Sequence, residues 1–418
     1  MPALPAAPMD TALPRISIDR LLGRLDELAA IGRTADGACC RLALTDEDRA
    51  GRDLVVRWMR DAGLAVRVEV IGNIFGLRAG TEDVAPVMTG SHIDTVRTGG
   101  RYDGNLGVLG GLEVVQALDD AGIRTRRPLV VGVFTNEEGA RFAPDMLGSL
   151  AYVGGLSLAE ALDAVGIDGK RLGDELVRIG YAGAAPLGTH RPHAYVELHI
   201  EQGPVLDSVG GTIGAVENLQ GISWQEVTVV GQSNHAGTTP MRLRHDAGYC
   251  AAAIGTFLRQ LARELGENQV CTMGQVELHP NLINVIAARA KVTVDMRNTD
   301  EAVLQLAERR FAAFLDQLAR DEGVAIASRR LARFEPVIFD GGIVERIERS
   351  ARRLGYTPRR MTSGAGHDAQ MLARIAPSAM IFVPSVRGIS HNPAEHTEPA
   401  HLAAGVDVLL HTLHDLAA

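Results

Sequence analysis

The stretch APVMTGSHIDTVRTGGRYDGNLGVLGGLEVVQALDDAG (85–122), with PLVVGVFTNEEGAR (128–141) just after it, decides the fold. It reads as a short apolar run, a glycine-rich turn, a helical spacing of apolar residues, and a second apolar run that stops abruptly in charge. Runs that are apolar throughout, without alternation, suit strands buried on both faces. An α/β fold is therefore predicted, with a mostly parallel sheet covered by helices. Ligands of such sheets sit beyond the carboxyl ends of the strands, so the polar residues after each run are the place to look for chemistry.

Upstream, IDRLLGRLDELAAIG and TDEDRAGRDLVVRWMRDAG have helical spacing, the second opening on Thr45 as cap with Glu47 and Asp48 in its first turn. LAVRVEV and NIFGLRAG (64–80) alternate like a hairpin. Downstream the pattern changes. ISWQEVTVVG, HDAGYCAAAIGTFLRQLARELG, QVCTMGQVELH, LINVIAARAKVTVDMRN, DEAVLQLAERRFAAFLDQLARDEG and VAIASRRLARFE follow one another as strand, helix, strand, strand, helix, strand. That order is the split βαβ sandwich, β-α-β-β-α-β. Residues 218–336 are thus expected to form a domain inserted into a first one made of 1–217 and 337–418.

Composition sets outer bounds. A chain of 418 residues, 46% hydrophobic and 22% charged, is globular and of two or three domains. With 42 basic and 51 acidic residues the formal charge is −9, which repels phosphate backbones and argues against a nucleic-acid partner. Four cysteines without a CxxC suit a reduced, cytoplasmic setting. No apolar run approaches the roughly 18 residues of a membrane helix, so a soluble protein is expected. The first twenty residues read as a frayed terminus rather than a leader. Glycine, 46 residues, is in excess and aromatics, at 4%, are scarce, pointing to tight turns rather than stacking surfaces.

The residues that follow the apolar runs are His92 and Asp94, Asp103, Glu137 and Glu138, His199 and His391. Each has an ordinary reading alone: a turn or core histidine, an Asp-Gly turn, acids opening a solvated helix. Their joint placement next to glycines points to one site. Imidazole and carboxylate without thiolate suit a two-metal centre of Zn²⁺, Mn²⁺, Co²⁺ or Ni²⁺, with Zn²⁺ preferred. Asp103 is the candidate bridge, because a carboxylate can span two ions and an imidazole cannot. Asp94 is placed to accept the second N–H of His92 and fix its tautomer. Glu137 is placed to take a proton from an activated water and pass it to a leaving nitrogen. No G-x-S-x-G, G-x-x-x-x-G-K-[ST], H-E-x-x-H or G-x-G-x-x-G motif offers rival chemistry.

The segments GSHIDTVRTGGRYDGNLGVLGGLEV, FTNEEGARF, ELHIEQGPVLD, GQSNHAGTTPMRLRHDA, NVIAARAKVTVDMRN, SGAGHDAQMLA and GISHNPAEHT resemble the hydantoinase/carbamoylase branch of the dinuclear-metal aminoacylase and carboxypeptidase superfamily. The resemblance implies one metal on His92, Asp103 and His199 and another on Asp103, Glu138 and His391, with Glu137 as general base. It implies His235 as the donor to the oxyanion, Asn284 and Arg297 as holders of a substrate carboxylate, and Gln202 at the ureido end. The Gly364–Gly366 loop would border the substrate, and the inserted domain would act as lid and dimer interface. Arg297 also has an ordinary reading, an ion pair with Asp295 on the same strand face. Ala287-Ala288 departs from the Pro-Gly common in that branch. His245, His367, His396 and the Cys39-Cys40 pair are assigned no function. The expected activity is hydrolysis of the carbamoyl C–N bond of an N-carbamoyl amino acid by a homodimer. The alternatives are an allantoate amidohydrolase, an aminoacylase- or peptidase-like amidase, and a binding protein that has lost its chemistry.

Overall fold

A computed structural model describes residues 14–418. The chain divides into two compact units, one made of the described residues up to Glu217 with Phe339–Ala418, the other of Asn218–Ile338.

In the first unit the strands Leu129–Phe134, Val87–His92, Ala194–Ile200 and Ser378–Val383 lie side by side in that order, each pair parallel. All their residues are buried, which is why the runs are apolar throughout. Ala65–Val68 and Ile74–Arg78 add an antiparallel hairpin beside Leu129–Phe134, and Gly214–Leu219 runs antiparallel to Ser378–Val383. The sheet is therefore mixed, with its parallel part at the centre. Within the hairpin the cause is connection length: a parallel pair needs a crossover of a dozen or more residues, and a short turn allows only antiparallel pairing. Helices Asn105–Asp120 and Pro399–Ala417 pack on each other and on the central strands. Because the four central strands run the same way, their carboxyl ends lie along one edge.

Local signals explain several boundaries. The Thr45 hydroxyl accepts the Asp48 N–H at 3.3 Å to start the helix Asp46–Asp61, a cap worth about 1 kcal/mol. Of the stretch expected to fray, residues 1–13 lie outside the described residues. The remainder is tethered: Arg15 pairs with Asp407 at 2.7 Å and Arg20 with the buried Glu113 at 2.7 Å. Short helices Leu147–Tyr152, Leu158–Asp163 and Leu172–Ile179 occupy a region to which the sequence reading assigns no element. One or two turns are too few to show a helical stripe. No helix among the described residues is long and apolar enough to cross a membrane.

The second unit has strands Gly221–Val230, Val270–His279, Arg289–Asn298 and Ala325–Phe334 and helices Ala247–Leu265 and Glu301–Glu322, in the sequence order β-α-β-β-α-β. Its four strands pair antiparallel, with Arg289–Asn298 and Gly221–Val230 in the middle and Val270–His279 at one edge. Arg289–Asn298 alternates in burial, since only one sheet face meets the helices. Val227, Val292, Val294 and Met296 from that face pack against Ile254, Leu258, Phe311 and Leu315. The run beginning at Leu282, expected to be one strand, joins the sheet only at Arg289. Before that, the Asn284 carbonyl accepts the Ala236 N–H at 3.0 Å and the Ile286 N–H donates to the Asn234 carbonyl at 2.9 Å. Residues 284–286 thus pair with the turn around His235 instead of extending the ladder.

Candidate metal centre

Each central strand of the first unit delivers a polar residue at its carboxyl end. His92 is the last residue of Val87–His92, His199 the penultimate residue of Ala194–Ile200, and Glu137 and Glu138 follow Leu129–Phe134. His391 lies beyond Ser378–Val383, in left-handed backbone with φ 54°. Asp103 sits in the turn before helix Asn105–Asp120, next to Gly104, whose φ is 66°. A Cβ on Gly104 would lie 2.5 Å from His92 Nε2. Any side chain there would occupy the space of the ligand atom.

Three imidazoles converge on the Asp103 carboxylate. Oδ1 lies 3.3 Å from His199 Nε2 and 3.7 Å from His92 Nε2, and Oδ2 lies 3.2 Å from His391 Nε2. Glu137 Oε2 is 3.4 Å from His92 Nε2, and Glu138 Oε2 is 3.4 Å from His391 Nε2. Two triads result, His92–Asp103–His199 and Asp103–Glu138–His391, with ligand atoms all within 4.8 Å of one another in each and Asp103 common to both.

The donor set fits divalent cations. His92 Nδ1 lies 2.9 Å from the Asp94 carbonyl and His199 Nδ1 2.9 Å from the Ile200 carbonyl. These partners place the ring protons on Nδ1 and leave both Nε2 lone pairs near carboxylate oxygen, that of His199 also accepting the Gly104 N–H at 3.1 Å. Lone pairs facing lone pairs repel unless a cation lies between them. No lysine or arginine among the described residues pairs with Asp103, Glu137 or Glu138, so the protein itself supplies no fixed counter-charge.

Protonation follows the crowding. Burial drives the His92 imidazole down to about 4. Burial first, then the charges of Asp368, Glu138 and Asp103, pushes the Glu137 carboxyl well above its usual range. Glu138 is raised by burial and by Asp103 and Asp94. Asp103 goes the other way: burial opposes it, but the His199 and His391 imidazoles against its two oxygens bring it well below the ordinary value.

Asp94 departs from expectation. Its carboxylate does not receive the His92 N–H; it accepts the backbone N–H groups of Glu137 and Glu138, each at 3.3 Å. Asp94 lies past the last paired residue of its strand, where the chain turns its carbonyl back onto the ring. The N–H groups at 137 and 138 have left the ladder and need an acceptor. Asp94 therefore fixes the backbone of the two glutamates, and burial, with Asp48 nearby, raises its carboxyl to about 7.

Gln202 donates through Nε2 to Asp103 Oδ2 at 2.8 Å, while its own Oε1 is buried without a partner. The loop with Gly364 and Gly366 follows strand Arg359–Ser363 and leads to His367. His367, read as structural, stacks obliquely on His199 with ring centroids 4.4 Å apart, and its Nε2 is buried and unpartnered. Glu197, His199 and His367 form a third cluster. Glu197 is already engaged there, by the Ser91 hydroxyl at 2.7 Å, the Tyr195 hydroxyl at 3.2 Å and the Ala369 N–H at 2.8 Å. The sequence reading also missed Glu395, buried behind Asp103. An acid four residues after His391 was its only signal.

The remaining candidates belong to the second unit. His235 is exposed, and its Nδ1 accepts the N–H groups of Gly237 at 3.0 Å and Thr238 at 3.3 Å, which leaves the ring proton on Nε2. Asn284 is exposed and tied to the His235 turn through its carbonyl. Arg297 chelates Asp295, Nε to both oxygens at 3.0 Å and Nη2 to Oδ2 at 2.8 Å.

A fold of this kind, with histidines and acids gathered at parallel strand ends, is that of a metallohydrolase, and its relatives agree. The chain belongs to peptidase family M20/M25/M40, which it matches over residues 88–415. It is 43% identical over 404 residues to an N-carbamoyl-L-amino-acid amidohydrolase of Rhizobium meliloti, covering 96% of this chain and 97% of that protein. It is 34% identical to an allantoate amidohydrolase of Bacillus subtilis, covering 94% and 96%. A solved structure of an amidase of the hydantoinase/carbamoylase family from Burkholderia multivorans superposes with a TM-score of 0.93 at 46% identity, covering 96% of this chain and 98% of that one.

Proposed function

We propose that this protein is a metal-dependent amidohydrolase that cleaves the carbamoyl C–N bond of an N-carbamoyl-L-amino acid, releasing the amino acid, ammonia and carbon dioxide. The observation that carries this reading is the pair of triads sharing Asp103, with Glu137 beside them. The similarity to the Rhizobium amidohydrolase supports the substrate class.

His92, Asp103 and His199 would hold one ion, and Asp103, Glu138 and His391 the other; Zn²⁺ suits the set best, with Mn²⁺, Co²⁺ or Ni²⁺ as substitutes. Bound cations supply a water acidified toward neutral pH and a Lewis acid for the carbonyl oxygen. Glu137 takes the proton of the attacking water and returns it to the departing nitrogen, the work of a general base and then acid. Asp94 keeps Glu137 and Glu138 in place through their backbones. His235, whose Nε2 carries the proton, serves as donor to the oxyanion. Arg297 and Asn284 take the substrate carboxylate, the former as a planar fork that lysine cannot reproduce. Gln202 and the Gly364–Gly366 loop border the ureido end.

The second reading is an allantoate amidohydrolase, favoured by the Bacillus relative. We further propose a cytoplasmic homodimer joined through residues 218–338, which present the edge strand Val270–His279 with Val270 and Val276 exposed. The test is ammonia release by chelated and then metal-restored protein on N-carbamoyl-L-methionine, N-carbamoyl-β-alanine and allantoate. Metal-dependent release from the first at the highest kcat/KM is expected. A preference for allantoate selects the second reading, and no release from any ureido acid defeats both.

A further inference from the structure

Glu395 is buried, 4% exposed, behind the turn that carries Asp103. Its Oε1 accepts the backbone N–H groups of Tyr102 at 2.9 Å and Asp103 at 3.3 Å. Its Oε2 accepts the Ser390 hydroxyl at 3.0 Å, and the same Ser390 Oγ lies 3.3 Å from Asp103 Oδ2. Ser390 is the residue before His391. One carboxyl group thus ties together the Asp103 turn and the His391 loop, segments from opposite ends of the sequence. The approach is close enough that residue 100 must be glycine: a Cβ there would fall 2.0 Å from Glu395 Oε1 and 2.1 Å from its Cδ.

We propose that Glu395 is a positioning residue for the metal centre, fixing the separation of Asp103 and His391 so that the Asp103–Glu138–His391 triad is already assembled before an ion arrives. The need for such a tie follows from the triad's own construction. His391 is half-exposed, its side chain 49% accessible, whereas those of Asp103 and Glu138 are 4% and 6%. It sits on a loop rather than at a strand end, so packing alone does not hold it. Glu395 grips both halves of the triad from behind: the Asp103 main chain on one oxygen and the neighbour of His391 on the other. Partners of this kind behind metal ligands typically change affinity about 10–100-fold when removed.

The inference rests on the metal-centre reading above, and the experiment separates the two. Metal-free full-length protein and the variants E395A, E395Q and S390A are titrated with Co²⁺ alone, followed by calorimetry and visible absorption. Wild type is expected to take two ions. E395A should bind one of them about 10–100-fold more weakly, and S390A should lose less, on that same ion. E395Q, which keeps an oxygen for the two N–H groups, should stay nearer wild type than E395A. Wild-type affinities for both ions in E395A and S390A, whatever the melting temperatures, would overturn the proposal. If E395A does not fold, unchanged affinities in S390A and E395Q overturn it equally. A wild-type protein that takes up no Co²⁺ defeats the metal-centre reading itself, and this inference with it.

Discussion

The two units hold their candidate residues in opposite ways. In the first, every candidate ligand but His391 is nearly inaccessible, and most ring nitrogens and carboxylate oxygens lie within 3.7 Å of a named partner. In the second, His235 and Asn284 are exposed, and Arg297 is satisfied by a neighbour on its own strand. The first pattern is that of a site whose geometry is set by folding. The second is that of side chains set on a solvated surface, His235 and Asn284 fully so.

Several substitutions can break this contrast. The largest effect is expected for Glu137→Gln: kcat should fall by about 10³-fold or more with two ions still bound, read as ammonia release beside metal content. Turnover that persists would remove Glu137 from the mechanism. His235→Ala should lower kcat by about 10²–10³-fold without changing metal content, although it lies in the unit that holds no ligand. Arg297→Lys should raise KM by about tenfold and leave kcat nearly intact; an unchanged KM would return Arg297 to its ion pair with Asp295. Chelation should act on one unit alone. With each ion at about 100 times its Kd, removal costs about 2.7 kcal/mol per ion, so calorimetry should show the transition of the first unit moving down while that of the second stays. Equal shifts in both would contradict the contrast. The smallest effect is Thr45→Ala, about 1 kcal/mol from the first unit's stability, with activity unchanged.

Much of this was legible in the sequence because strand ends announce themselves. Apolar runs closing on His92, on Glu137 and Glu138, and on His199 signalled parallel strands and a shared edge together. The inserted unit was legible from its alternation of periods. What was hidden depended on contacts between distant segments. Nothing local says that the Asp94 carboxylate turns to the backbone of residues 137 and 138, or that Glu395 reaches Tyr102. The hairpin of residues 64–80 was legible from its alternation, whereas the antiparallel strand Gly214–Leu219 was missed because a short run looks the same whichever way its neighbour runs. His367 was set aside because its nearness to His199 comes from tertiary packing, not spacing.

The placement of His391 has a consequence for how the protein comes into being. As the chain emerges from its amino end, His92, Asp103, Glu137, Glu138 and His199 arrive early, and the whole inserted unit follows before Ser378–Val383 and His391 exist. Until those last residues appear, the nascent chain carries acids without the histidine that completes the second triad, and without the strand that closes the parallel row. Both triads can be complete only after residue 391 has been made, so a second ion would join a chain whose inserted unit has already been synthesised.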